Sequence, residues 1–236
     1  MCFDLPDGGH ALFTTRAHGN LSCVGGAGFE QGAQARERLR ERLEVRRLAR
    51  GYQVHGTTVL RVGTDVQGDA GDRSAGTGAD ADAQPAVEAD GHATAARGVG
   101  VLVLTADCLP VALGTDGALA MVHAGWRGLA AGVLEEGVCA LRELGGSGDL
   151  TAVIGPGAGA CCYEVGEEVH AAFGGQLIGT PPTRIPPART SPGRTSSGRR
   201  IDLKAIARER LLAAGVSEVR DVAACTICDE RFFSHR

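Results

Sequence analysis

Aromatic side chains are scarce in this chain of 236 residues, at 1 Trp, 2 Tyr and 6 Phe. So few rings argue against the stacking platforms that hold single-stranded nucleic acid. A basic excess is missing too. There are 24 Lys and Arg against 28 Asp and Glu, a net charge of −4 and a pI near 6.0. That excludes the electrostatic footprint of a general nucleic-acid or membrane-surface binder. The most apolar stretch, Val99 to Leu113, contains Asp107 and is too short to span a bilayer. The start, from Met1 to Pro6, lacks the basic and apolar regions of a secretion signal. Eight cysteines, at 2, 23, 108, 139, 161, 162, 225 and 228, are too thinly spread for a disulfide scaffold. Reduced thiols in a cytoplasm are expected.

What the chain does have is glycine, 36 residues with 9 Pro, and a 43% hydrophobic content sufficient for a real core. Two segments read as loops on one fold. Residues 63–86 carry five Asp against one Arg, and residues 179–200 carry five Pro and five Arg. Both lack periodicity and are expected to be mobile. Gln34 to Arg50 predicts an arginine-laced surface helix, with seven Arg balanced in part by Glu37, Glu41 and Glu44. Gly98 to Leu104 predicts a buried strand. Val111–Leu113 and Ala118–Val122 predict a hairpin across the Gly114–Gly117 turn. Gly128 to Leu144 predicts one amphipathic helix, and Leu150–Ile154 another buried strand. Asp202 is placed to cap a helix running to Ala214, with Gly215 as its stop. Strands joined by tight turns and mixed with helices predict an α+β fold in a single domain over residues 1–236.

Three residues sit where strands meet loops: His55, Cys108 and His123. The predicted hairpin brings Cys108 and His123 together. Two His and one Cys match a catalytic zinc site with an open fourth position. The same residues also fit a buried thiol and two unrelated histidines, because spacings of 53 and 15 residues form no local signature. Cys225-x-x-Cys228 has metal or redox spacing. Its one partner pair, Cys161-Cys162, is vicinal and reads as unsuited to completing a four-cysteine site, so a structural role is expected. The zinc-deaminase signature, the G-x-S-x-G elbow and the Walker loop are all missing. Gly155-Pro-Gly157-Ala-Gly159 fits a turn better than a dinucleotide fingerprint.

QVHG at 53–56, EADG at 88–91, GVLVLTADCLPVAL, HAGWRGLAAGVLE, IGPGAGACCYEVGEEV and CTICDERFFSHR resemble the YfiH / polyphenol-oxidoreductase-laccase family, also called DUF152. The resemblance covers about Gln53 to Arg236, interrupted by the two loops. Phe13-Thr-Thr-Arg16 fits as well, while the stretch after it is altered or shortened. The resemblance implies a layered α+β sandwich of mixed β-sheets with flanking helices. It also implies zinc held by His55, Cys108 and His123, with these three as the catalytic residues. The activity implied is phosphorolysis of purine nucleosides (adenosine, inosine, guanosine, methylthioadenosine), with adenosine deamination as a second reaction.

The expected partners are therefore a small nucleoside and phosphate, with no nucleic acid and no membrane. Arg127 and Arg16 are the candidate phosphate holders, because a guanidinium grips phosphate with two prongs. Asp107 is a candidate to orient a ligand or accept a proton, or equally to cap a strand end. The family's names also cover copper laccases and cysteine hydrolases. Seven His without one H-x-H pair are too few for a four-copper oxidase, though a single copper suits the same His₂Cys set. A hydrolase would use Cys108 or Cys162 as nucleophile with His123 as base.

Overall fold

The computed structural model describes residues 1–22, 28–64, 87–174 and 199–236. Most of both expected loops lies outside the described residues. A six-stranded mixed sheet forms the centre, in the order β12-β9-β7-β8-β5-β4. Its strands are β4 (Val59–Arg61), β5 (Gly91–Thr94), β7 (Leu109–Asp116), β8 (Ala118–Ala124), β9 (Ser147–Ile154) and β12 (Glu218–Asp221). The outer pairs β4·β5 and β9·β12 are parallel, and the inner pairs are antiparallel. The tight turn between β7 and β8 is the expected hairpin, longer at both ends than the apolar run alone indicates. It aligns Leu109 with Ala124 and Pro110 with His123.

One face of the sheet is covered by α2 (Trp126–Ala131), α3 (Val133–Glu143), α4 (Glu167–Ala172) and α5 (Leu203–Ala213). Val133, Leu134, Ala140 and Leu141 of α3 meet Leu113 and Val122 of the sheet in the main core. Removing such side chains from water contributes roughly 1.5–3 kcal/mol each. Sequence periodicity predicts a single helix over 128–144, but Gly132 divides it. Its φ of 101° is a left-handed conformation that a side chain resists, and it ends α2 and starts α3 at once. Asp202 caps α5 as expected, accepting the Ala205 N–H at 3.0 Å.

The other face carries a hairpin of β1 (Cys2–Asp4) and β2 (His10–Leu12), whose Leu5, Ala11 and Phe13 pack on Ala112 and Val153. The layers thus form the expected sandwich. Helix α1 (Gly28–Arg42) stops well short of Arg50. Glu44 adopts φ 53°, and the chain re-emerges as β3 (Arg47–Ala49), paired in parallel with β6 (Val99–Val101). The charge pattern does not mark this switch. The strand expected over 98–104 is likewise confined to β6. Beyond it, the Gln53 side chain holds the backbone of Leu104 from both sides, at 2.8 and 2.7 Å. A side-chain amide there takes the place of a strand ladder. Two short strands, β10 (Glu164–Val165) and β11 (Arg199–Arg200), complete the described elements.

Candidate metal centre

Two loops and a strand end converge at one end of the sheet. His55 lies in the loop after β3, Cys108 in the turn leading into β7, and His123 near the end of β8. One ligand atom from each lies within 4.8 Å of the other two. Cys108 Sγ is 3.8 Å from His55 Nε2, and the two imidazole rings meet edge to face at 4.9 Å. A tetrahedral zinc ion with Zn–S near 2.3 Å and Zn–N near 2.0 Å separates such atoms by roughly 3.5 Å. The donor set therefore fits. His123 is buried while His55 is exposed, so the cluster is closed behind and open in front.

The residue that organises the cluster is Asp90, fully buried at the start of β5. It accepts the backbone N–H groups of Val54 (3.2 Å), His55 (2.9 Å) and Gly56 (2.7 Å). It also accepts Nδ1–H of His123 at 2.7 Å. One carboxylate thus shapes the His55 loop and leaves Nε2 of His123 facing inward, the usual way a carboxylate orients a ligating histidine. Burial opposes the charge on Asp90. The hydrogen bonds from His123, Gly56 and Val54 outweigh it and hold the carboxyl below its ordinary range.

Burial also works against charge on His123, but Asp90 and Cys108 overcome it and raise the imidazole to about 9. His55 goes the other way, lowered by burial, by His123 and by the Arg127 charge. Its backbone has φ 61°, uncommon for a residue with a side chain, and Asp90's grip on three consecutive N–H groups accounts for it. Gly125 completes the fit. A Cβ there would lie 2.7 Å from His55 Cδ2 and 3.1 Å from Cys108 Sγ, so only glycine leaves room for the cluster.

Asp107 faces the C-terminal segment. It is buried, with φ 88°, and binds the C-terminal segment through Thr226 Oγ1 (2.7 Å), Ser234 Oγ (3.0 Å) and the His235 N–H (2.9 Å). Those bonds hold in place the strained turn that presents Cys108. Arg127 is exposed and stacks on Trp126 with its Cζ 4.3 Å from the ring centroid. Its charge reaches both His55 and Tyr163, so it borders the open side of the cluster. Arg236, which lies over the Tyr163 ring at 4.8 Å, borders it as well. Arg16 stacks instead on Phe233, next to the segment that satisfies Asp107. A cavity of about 970 Å³ lies behind the Leu102–Ala106 segment, lined in part by Phe13, Met121 and Phe232. None of the three clustered residues lines it.

Residues 10–236 match the family model described as multi-copper polyphenol oxidoreductase laccase. The chain belongs to that family. A Xylella fastidiosa relative named purine nucleoside phosphorylase is 40% identical over 230 residues, 92% of this chain and 78% of that one. Its counterpart from another strain of that species is 42% identical over 195 residues, and there the match spans 78% of this chain and 65% of the relative. Among solved structures, YlmD of Geobacillus stearothermophilus superposes with a TM-score of 0.67 at 33% identity. It covers 88% of this chain and 75% of its own. A Neisseria meningitidis protein of the DUF152 family gives 0.65 at 28%, covering 91% and 80%. The family expected from the sequence motifs and the layered α+β fold are thereby shown.

Asp90 and Gln53 carry roles that residue-by-residue reading assigns to neither. The available signal was an acidic residue, in EADG, immediately before a short buried strand, where an unpaired carboxylate would be costly. The four remaining site cysteines correct a second expectation. Cys161 and Cys162 do meet Cys225 and Cys228, with all four sulfurs within 4.8 Å of one another. The turn at 159–163 points both vicinal thiols to one side, which sequence spacing does not convey. Among the described residues, no helix is long and apolar enough to cross a membrane.

Proposed function

We propose that this chain is a zinc-dependent purine nucleoside phosphorylase acting on adenosine, inosine, guanosine and methylthioadenosine, with adenosine deamination as a secondary activity. The observation that carries this reading is the His55–Cys108–His123 cluster, open on the side where Arg127 stands. The names of the relatives support it. A zinc ion held by these three residues supplies Lewis acidity at the mouth of the site. Asp90 keeps His123 in the tautomer whose Nε2 faces inward. Arg127, stiffened by its stack on Trp126, grips phosphate oxygens with two prongs. An oxygen of that phosphate then bonds to the sugar C1′ as the bond from C1′ to the base nitrogen breaks, and the free base leaves.

The copper reading has less support. Beside this cluster the described residues hold one other group suited to a metal, made of four cysteines, and soft thiolates do not build a trinuclear imidazole-bound copper cluster. A Cys162 nucleophile is also disfavoured. Burial and the neighbouring Cys228 and Cys161 thiols push its pKa up, away from the thiolate that attacks.

The test is metal analysis of protein purified without added copper, alongside release of free base from each nucleoside with and without phosphate. Phosphate-dependent release by zinc-loaded protein is expected, lost in His55→Ala, Cys108→Ala and His123→Ala. Base release that ignores phosphate, or full activity in any one of those variants, overturns the reading.

A further inference from the structure

Cys225 to Cys228 and the vicinal pair Cys161-Cys162 are separated by more than sixty residues in sequence, yet they share one pocket beside the Asp107 turn. Cys228 Sγ lies 3.0 Å from Cys162 Sγ and 3.6 Å from Cys161 Sγ. Four sulfurs around a zinc ion at about 2.3 Å stand roughly 3.8 Å apart, between the 3.0 Å of the nearest pair and the 4.8 Å within which all four lie.

The backbone is arranged for sulfur as well. Gly159 donates its N–H to Cys225 Sγ at 3.2 Å. The Cys225–Cys228 segment is turned back on itself, with the Cys228 and Asp229 N–H groups both on the Cys225 carbonyl. The turn thus sets both of its sulfurs beside those of Cys161 and Cys162. Cys228 is exposed and the other three are half-buried, so an ion can enter from solvent.

We propose that Cys161, Cys162, Cys225 and Cys228 bind a second zinc ion as four thiolates, their protons passing to solvent. With no open position, such a site is structural. Its task follows from what it joins. The turn at 225–228 carries Thr226, which donates to Asp107, and Asp107 holds the turn that presents Cys108. On the other side, Cys162 precedes Tyr163, over which Arg236 lies. The ion clips the C-terminal segment to the loop after β9 and so stabilises one wall of the first cluster without taking part in its chemistry.

Zinc per chain is measured by mass spectrometry of protein purified without added metal. Two ions are expected in the unaltered protein, one in Cys225→Ser/Cys228→Ser and one in Cys108→Ser. The cobalt-loaded protein gives the ligand count. Intense thiolate-to-cobalt absorption should persist in Cys108→Ser and largely vanish in the double variant. Should the double variant not fold, alkylation of the unaltered protein decides. Cys2 and Cys139, both exposed, should react at once, and the four clustered cysteines together only after a chelator is added. One zinc that disappears in Cys108→Ser overturns this proposal and leaves the catalytic reading standing. One zinc that survives Cys108→Ser but not the double variant does the reverse. Immediate alkylation of all four, or a Cys162–Cys228 disulfide in metal-free protein, also overturns it.

Discussion

The two sulfur-bearing clusters, linked through the hydrogen bond from Thr226 to Asp107, are built on different principles. His55, Cys108 and His123 project from the ends of sheet strands and the loops joined to them, and a buried carboxylate behind them sets their orientation. Cys161, Cys162, Cys225 and Cys228 come from two turns, and the hydrogen bond that reaches one of their sulfurs comes from the Gly159 backbone N–H. The first cluster is held by a buried carboxylate and is exposed on the His55 side. The second offers four sulfurs within 4.8 Å of one another. A centre of the first kind should keep its geometry when emptied, while one of the second kind should depend on its ion for local order.

The largest expected effect breaks the first half of that contrast. Asp90→Ala leaves three part-buried backbone N–H groups and the buried His123 Nδ1 without their partner, which should cost about 3 kcal/mol or more in stability. Urea denaturation of the apo proteins measures it. Metal affinity should also fall, by roughly 10–100-fold. A variant as stable as the parent would show that the cluster is not organised from behind.

A smaller effect sharpens the comparison inside the sheet itself. His92 and His123 lie on the neighbouring strands β5 and β8, and both are almost completely buried. His123 has Asp90 as its partner, whereas neither ring nitrogen of His92 has a hydrogen-bond partner. Burial, joined by the Arg47 charge, lowers His92 from 6.5 to about 4. Above pH 6.5 the imidazole is neutral in both folded and unfolded chains and costs nothing. Between 6.5 and 4 the unfolded chain takes up a proton that the folded one refuses, so stability falls as pH drops and levels off below 4. That difference is worth about 3 kcal/mol in full. Melting temperatures from pH 7 to pH 4 should show His92→Leu losing less stability than the parent. Equal losses would mean that His92 takes up its proton in the folded chain as readily as in the unfolded one.

The smallest effect concerns the open side of the first cluster. Arg127→Lys keeps the charge but removes the two-pronged grip and weakens the stack on Trp126. Phosphorolysis should fall by about tenfold, or about 1.4 kcal/mol of transition-state stabilisation. Deamination, which uses water, should fall much less, with the melting temperature unchanged. Parallel loss of both activities and of thermal stability would assign Arg127 to packing alone.

Much of the scaffold was legible along the chain because its signals are local. The β7–β8 hairpin, the Asp202 cap of α5 and the inward face of α3 each rest on residues within a few positions of one another. That hairpin was enough to pair Cys108 with His123. The switch from α1 to β3 at Glu44 and the division at Gly132 were not legible, since a charged helix pattern and a glycine inside an amphipathic run both permit continuation.

By itself the sequence determined which residues have ligand chemistry, that a hairpin and a helix border them, and the family to which the motifs belong. The tertiary structure alone decided that Asp90 stands behind His123, that Asp107 serves the C-terminal segment, and that two distant cysteine pairs meet. The reason is physical. Turn and helix propensities act over a few residues, whereas the position of a buried carboxylate or a fourth sulfur depends on how layers pack, and packing is settled only when the whole chain has folded.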